Sequence, residues 1–127
     1  LLHLDPPRPT PKPGPADTFL RFRDAVERDF TRTRQVGDYA HALGYSPRTL
    51  SRAARTAVGM NAKEFIDGRT ILEAKRLLAH SELSAAQIAH QLGFTSPTNF
   101  TKYFHQRTTS TPITFRKHVR GTGRSGA

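Results

Sequence analysis

The sequence contains no cysteine and no tryptophan and has one methionine. The absence of cysteine excludes disulfides, thiolate metal ligands and a cysteine nucleophile. No apolar run approaches the length of a membrane-spanning helix, and the N-terminus carries no secretory signal pattern. We therefore expect neither a membrane protein nor a cysteine-dependent enzyme.

Acidic residues are scarce, because 10 Asp and Glu accompany 20 Lys and Arg, for a formal net charge of +10. No acidic residue follows Glu82. Six cationic residues do: Lys102, Arg107, Arg116, Lys117, Arg120 and Arg124. Since no carboxylate lies there to neutralise them, we expect these charges to attract phosphate. Charge alone leaves open whether the domain binds nucleic acid or is merely basic.

Residues 1–16 hold six of the nine prolines. Proline fixes φ and has no backbone N–H, so this segment is predicted to be an extended linker and not a helix or strand. A proline-rich ligand for a peptide-binding domain is the alternative. The chain does not begin with methionine, and a linker at its start predicts that it is a fragment of a longer protein.

Capping residues and apolar spacing predict a succession of helices after the linker. The expected starts are Asp17, Thr33, Ser46 with Pro47, residue 62, Ser84, Ser96 with Pro97, and Pro112. Gly44, Gly59 and Gly93 are expected to end helices. The apolar residues of the helix over 62–80 do not form one stripe, which predicts a central helix covered by a small bundle at each end. Residues 121–127 are predicted to be disordered.

Residues 42–52 recur as residues 91–102, with one residue inserted at the turn. Each copy has Leu-Gly-aromatic followed by Ser-Pro, which is typical of the bend between two short helices and the start of the second. This pattern predicts two helix-turn-helix units. One such turn by itself would equally suit an ordinary helical hairpin with a solvated face, and the repetition favours the helix-turn-helix.

The second helix of each unit is expected to bury one face and to present polar side chains on the other. The buried faces would be Leu50, Ala53 and Ala54 in the first unit, and Phe100, Tyr103 and Phe104 in the second. The predicted DNA contacts are Arg48, Thr49, Ser51, Arg52 and Arg55, and then Thr98, Asn99, Thr101, Lys102 and His105. Arginine can pair bidentately with guanine, and Ser or Thr hydroxyls can bond bases or phosphates.

The second unit contains a long run of spaced motif residues: Ile88, Ala89, Gly93, Phe94, Ser96, Phe100, Lys102 and Phe104, then Thr111, Pro112, Phe115 and Arg116. This run resembles the signature of the AraC/XylS transcription regulators. The first unit fits the weaker pattern of this family through Ala40, Leu43, Gly44, Ser46, Leu50, Arg52 and Gly59. The connecting helix matches at Phe65, Ile66, Arg69, Ala74, Leu77 and Leu78. The resemblance covers about residues 18–118.

The resemblance implies an all-α domain of seven helices, with two helix-turn-helix subdomains joined by a long central helix. It divides the chain into a linker (1–16), the DNA-binding domain (17–120) and a tail (121–127). Within the domain it places the first helix-turn-helix at about 35–58, the linker helix at about 62–80 and the second helix-turn-helix at about 85–107. Arg69, which matches a family arginine, is interpreted as structural.

Three residues depart from the family pattern. Thr109 replaces the glycine that ends the second recognition helix, and since threonine is unfavourable at φ > 0, we expect this helix to end differently. Ala62 replaces the proline or similar residue that opens the connecting helix. Lys102 replaces the commoner arginine and loses its bidentate fork, which favours phosphate anchoring over base reading.

Catalytic and metal sites find little support. Six histidines have no i, i+4 pair within a helix and no clustered acids beside them, so no metal or other cofactor is expected. No nucleophile-elbow pattern occurs, so the protein is predicted not to be an enzyme.

The predicted function is sequence-specific binding of double-stranded promoter DNA by a transcription regulator. RNA polymerase is a further expected partner, an upstream sensing or dimerisation domain is expected to be missing from this chain, and the expected location is the cytoplasmic nucleoid. The alternatives are a non-specific nucleoid or RNA-binding protein and a helical protein-interaction module.

Overall fold

The structure, a computed structural model, describes residues 14–124, and within that range it is all-α, with seven helices and no strand. They are α1 (Pro15–Asp29), α2 (Val36–Leu43), α3 (Pro47–Val58), α4 (Ala62–His80), α5 (Ala85–Gln91), α6 (Pro97–Thr108) and α7 (Pro112–Arg124). The expected fold class is confirmed. Residues 1–13, most of the predicted linker, and residues 125–127 of the predicted tail lie outside the described range.

The start of α1 corrects two predictions. The N-cap is Gly14 and Pro15 is the first helical residue, so Pro15 and Ala16 are helical and not part of an extended segment. Asp17 lies in the first turn and is not the cap. Proline is tolerated at this position because its missing N–H would have no partner within the helix, and an acidic residue in the first turn interacts favourably with the helix dipole.

Two further predicted boundaries are wrong. Gln35, and not Thr33, is the N-cap of α2. The Thr33 hydroxyl instead accepts a hydrogen bond from the Gln35 N–H (3.1 Å) and donates to Asp38 (2.5 Å). At the other end of the chain α7 continues through residues 121–124, which had been predicted to be disordered. Glycine inside a helix costs only about 1 kcal/mol, so the glycines of this segment do not by themselves end α7. No proline follows Pro112 to end it either.

The prediction that the long helix α4 does not bury one straight face is confirmed, because its buried residues form a stripe that winds around its axis. Its five fully buried positions four residues apart are Ala62, Ile66, Thr70, Ala74 and Leu78. Four residues advance the helix by slightly more than one turn, so the stripe rotates by about 40° at each step. The start of α4 therefore faces one core and its end faces another, while Leu72 is 62% exposed.

Each end of α4 belongs to its own aromatic core. In the first, the Phe22 ring lies 5.8 Å from Tyr39 of α2 and 5.6 Å from Phe65 of α4. In the second, the Phe104 ring lies 5.9 Å from Phe100 and 5.7 Å from Phe115 of α7. The first core is formed by α1, α2, α3 and the start of α4, and the second by the end of α4 with α5, α6 and α7.

Candidate nucleic-acid interface

The two repeated turns have the same backbone geometry. Gly44 and Gly93 both adopt the left-handed conformation, with φ of 75° and 83°. In each turn the N–H of the next residue donates to an alanine carbonyl at 2.9 Å, which is Ala40 in the first copy and Ala89 in the second. The residue inserted after the second glycine therefore does not alter the bend.

Helices α3 and α6 also begin in the same way. Ser46 and Ser96 are their N-caps, and each serine Oγ accepts a hydrogen bond at 3.1 Å from the backbone N–H three residues later. Pro47 and Pro97 follow as the first helical residues. The predicted starts of both helices are confirmed.

The two helices end alike too, which corrects the expectation for Thr109. Gly59 caps α3 with φ of 74°, and Thr109 caps α6 in the same left-handed region with φ of 63°. The Thr109 N–H donates to the carbonyl of His105 at 2.9 Å, the bond that closes the last turn. Threonine therefore occupies the glycine conformation in spite of a cost of about 1 kcal/mol.

The buried faces of α3 and α6 agree with the sequence prediction. Leu50, Ala53 and Ala54 are buried in α3, while Phe100 and Phe104 are fully buried and Tyr103 is half-buried in α6. The opposite face of each helix carries a polar stripe with i, i+3, i+4, i+7 spacing. We define the first stripe as Arg48, Ser51, Arg52 and Arg55, and the second stripe as Thr98, Thr101, Lys102 and His105.

In the first stripe the three arginines are exposed, and within residues 14–124 none has an ion pair or a side-chain hydrogen bond. Ser51 differs, because it is half-buried and its Oγ accepts a hydrogen bond from the Ala62 N–H at 3.1 Å. This bond ties α3 to the first residue of α4. Ser51 therefore has a structural contact as well as its predicted role.

Thr49 lies at the edge of the first stripe. It is half-buried, and its hydroxyl is 2.9 Å from that of the cap Ser46. Together with Arg52 it lines a cleft of about 130 Å³ against Pro15 and Thr18 of α1. The start of α1 thus lies next to the predicted contact surface, a proximity that no pattern in the sequence indicates.

In the second stripe Thr98, Lys102 and His105 are exposed, and Thr101 is half-buried. Pro112 occupies the position equivalent to Ala62 and has no N–H to donate. The Thr101 hydroxyl accordingly makes no hydrogen bond to any described residue.

Asn99, beside the second stripe, is exposed, and its amide donates to the Thr95 hydroxyl at 2.7 Å. Thr95 is the residue inserted in the second copy, so this bond has no counterpart in the first.

The expectation that all six cations after Glu82 attract phosphate is wrong for three of them. Arg116 is half-buried and donates to backbone carbonyls at the C-terminal end of α4, at 2.9 to 3.4 Å. Arg107 pairs with Asp67 of α4 (3.0 Å) and lies 3.6 Å from the centroid of the Tyr103 ring. Arg120 lies 3.5 Å from Glu82. Both carboxylates precede the cationic segment in the sequence and are brought to it by folding.

Asp67 is also the acceptor for Tyr103, whose hydroxyl donates to it at 2.5 Å. Burial raises the pKa of Tyr103 above its ordinary value, and the hydrogen bond to Asp67 acts in the same direction. The phenol therefore stays protonated, and its hydrogen bond joins α6 to α4.

Arg69 has the structural position expected of it. Its guanidinium makes two hydrogen bonds to Glu27 of α1 (2.7 and 2.9 Å) and lies 4.3 Å from the centroid of the Phe30 ring. These hydrogen bonds lower the pKa of Glu27 below its ordinary value. The contact joins α1 to the middle of α4.

None of the described helices combines the length and the apolar character needed to cross a membrane. In the same part of the chain no three His, Asp or Glu side chains are grouped as metal ligands would be.

Comparison with known proteins adds the family. A family model described as a helix-turn-helix domain matches residues 39–118. The chain is 30% identical over 111 residues to the regulatory protein PocR of Salmonella typhimurium, covering 87% of this chain and 36% of PocR. It is 31% identical over 84 residues to the probable transcription factor PqrA of Proteus vulgaris, covering 66% of this chain and 69% of PqrA.

Among solved structures, the fold is similar to the DNA-binding domain of the global transcriptional factor AdpA, crystallised with a target DNA. The TM-score is 0.70 at 25% identity, and the match covers 87% of this chain and 97% of that domain. The fold and the relatives are those of transcription-regulator DNA-binding domains and not of enzymes. The chain belongs to the AraC/XylS-type helix-turn-helix family of transcription-regulator DNA-binding domains.

Proposed function

We propose that this chain binds double-stranded promoter DNA in a sequence-specific manner, with α3 and α6 in successive segments of the major groove. The observation that carries the proposal is the pair of exposed polar stripes on helices with equal turns and equal ends. An α-helix fits the major groove, and successive segments on one side of the duplex lie about 34 Å apart. The long α4 provides a spacer between the two helices.

The stripes differ in the contacts that their side chains can make. Arg48 and Arg52 are exposed and unpaired within the described residues, so each can present its fork to guanine. Lys102 can supply only a point charge, which suits phosphate. The unbonded hydroxyl of Thr101 is available to a base or a phosphate. We infer that α3 contributes more to sequence preference and α6 more to anchoring.

Selection of bound duplexes from a random pool tests the proposal directly. The affinity of the selected duplex is then compared with that of a scrambled duplex and of single-stranded RNA at one fixed salt concentration. We expect the selected duplex to bind at least roughly a thousandfold more tightly than the scrambled one. Equal affinity for all three would instead identify a non-specific nucleic-acid-binding protein.

The spacing between half-sites tests whether both helices bind at once. Inserting about 5 base pairs between them rotates one half-site to the other side of the duplex. We expect affinity to fall to that of a single half-site. An insertion of a full helical turn keeps both half-sites on the same side of the duplex, so it changes only the distance between them. An affinity indifferent to the insertion would mean that one helix binds alone.

A protein-interaction module is the remaining alternative. It predicts that Arg52→Ala and Lys102→Ala leave DNA binding unchanged, since the basic surface would then serve an acidic protein partner.

We further propose that the chain is the output domain of a longer, nucleoid-located regulator with a sensing or dimerisation domain upstream, acting by contacting RNA polymerase or by blocking it. The chain spans 36% of PocR, which supports a longer protein. Transcription in vitro from a promoter carrying the selected duplex measures the sign of the effect.

A further inference from the structure

The loop between α1 and α2 lies against the turn of the second helix-turn-helix. The Arg34 guanidinium is stacked on the Phe94 ring, 3.8 Å from its centroid, and donates to the Leu92 carbonyl at 3.3 Å. Arg34 is half-buried. Arg34 and these two partners are about sixty positions apart in the sequence and belong to different subdomains. We call the packing of Thr31 and Arg34 on Leu92, Gly93 and Phe94 the loop–turn contact.

Gly93 brings the two backbones together at this contact. A Cβ atom at Gly93 would overlap the backbone carbonyl oxygen of Thr31, which cannot rotate away. Gly44 occupies the equivalent turn with nearly the same φ (75° against 83°), and a Cβ there would meet nothing within 4 Å. Conformation alone therefore explains Gly44, whereas Gly93 is also required by the close approach.

Without the loop–turn contact, α4 would be the main connection between the subdomains. A helix packed against both subdomains sets their separation, but it can still bend and twist along its axis. A second contact away from that axis fixes the orientation as well. Phe94 carries this constraint to the recognition helix, since its ring lies 5.2 Å from Phe100 and 5.0 Å from Tyr103.

We propose that the loop–turn contact is a positioning device that holds α6 at a fixed orientation to α3, so that both stripes meet the same side of one duplex. The inference rests on the proposed two-helix binding. A domain whose helices α3 and α6 are already oriented loses less conformational entropy on binding. The second helix then meets its half-site at a high effective concentration. Arg34, Gly93 and Phe94 are thus positioning residues that need not touch DNA.

The orientation can be measured without DNA. The chain has no cysteine, so spin labels attached to Thr56→Cys and Gln106→Cys, exposed and equivalent positions on α3 and α6, report one distance distribution. We expect Gly93→Ala to broaden or shift this distribution. Gly44→Ala is the matched control, because it adds the same φ strain without the overlap, and it should leave the distribution unchanged.

DNA binding gives the second readout. The affinity for the selected duplex is divided by that for the same duplex with the second half-site scrambled. We expect Gly93→Ala and Arg34→Ala to lower this ratio by roughly tenfold or more, with little change for the single half-site. Arg32→Ala removes an equal charge from an exposed position of the same loop and should preserve the ratio. Arg34→Lys keeps the charge but loses the planar stacking, and should resemble Arg34→Ala.

The outcomes separate the two proposals. Distance distributions of Gly93→Ala and Arg34→Ala that match those of Gly44→Ala and Arg32→Ala would overturn the positioning role, whatever DNA binding shows. If Gly93→Ala does not fold, Arg34→Ala decides. Failure of the unsubstituted chain to prefer a selected duplex would overturn the proposed function, while the distance measurement would still decide whether the contact orients α6.

Discussion

The two helix-turn-helix units share a backbone but fill their cores from different places. Equivalent positions are Leu50, Ala53 and Ala54 in α3, and Phe100, Tyr103 and Phe104 in α6. The small side chains of α3 suffice because α1 packs on α3 and brings Phe19 and Phe22 into that core. In the second unit α6 itself supplies two fully buried rings, Phe100 and Phe104. A core can thus change composition as long as its volume is filled, whereas the caps and the turn keep their register.

The units also differ in how they use cations. The arginines of the first stripe are exposed and unpaired among the described residues. In the second unit Arg107 turns inward to Asp67, and Lys102 and His105 are left on the surface. The exposed face of α6 therefore carries fewer unpaired cations than that of α3, and Arg107 links α6 to α4 instead.

The largest expected effect tests the difference in core filling. Phe104→Ala should cost about 3–5 kcal/mol of unfolding free energy, because it empties a fully buried aromatic position. Its mirror, Ala54→Phe, should cost about 1–3 kcal/mol by overpacking α3 against α1. Urea denaturation followed by circular dichroism measures both. A fully tolerated phenylalanine at position 54 would mean that α1 does not fill that space.

The next effect concerns the stripes and DNA. Arg52→Ala should weaken binding to the selected duplex by about 1–3 kcal/mol and relax sequence preference. Lys102→Ala should weaken selected and scrambled duplexes equally and lower the salt slope by about 1. Binding titrations across a salt series distinguish these effects. Arg21→Ala, a change at an exposed arginine of α1 outside both stripes, is the control, and equal behaviour of all three variants would remove the distinction between the stripes.

A smaller effect compares the two hydroxyls. Ser51→Ala leaves the N–H of the buried Ala62 without its acceptor and should cost about 1 kcal/mol of stability. Thr101→Ala removes a hydroxyl that faces no donor, so its hydrogen-bond loss should be close to zero. Thermal unfolding of both variants measures the difference. Equal destabilisation by the two substitutions would show that the missing N–H of Pro112 is not the reason why the Thr101 hydroxyl lacks a hydrogen bond.

The smallest effect compares the helix ends. Thr109→Gly should stabilise the domain by about 0.5–1 kcal/mol, because relief of the left-handed strain exceeds the added entropy of the unfolded chain. Gly59→Thr should destabilise it by about the same amount. Both changes are read from the midpoint of urea unfolding, and a loss of stability in Thr109→Gly would show that the threonine hydroxyl contributes more than its strain.

The features that sequence predicted correctly are local. The turn at Gly44, the cap at Ser96 and the burial of Leu50 each depend on residues within a few positions, so spacing and residue type suffice. The boundary at Pro15 was missed because proline suits both an extended segment and the first position of a helix.

The features that sequence missed depend on distant partners. Asp67 neutralises Arg107 across 40 positions, and Arg34 meets Leu92 across 58. No pattern within either segment marks these pairs, because they exist only once α4 has brought the subdomains together. The predicted stripes were recognisable from helical periodicity, whereas the contact proposed to orient them was not.

The cleft between the start of α1 and α3 has a mechanical consequence. Pro15, the first residue of α1, lies beside Thr49 and Arg52 of α3. A force applied at Pro15 therefore acts first on α3, against which α1 packs. It reaches α6 only through the other helices of the domain.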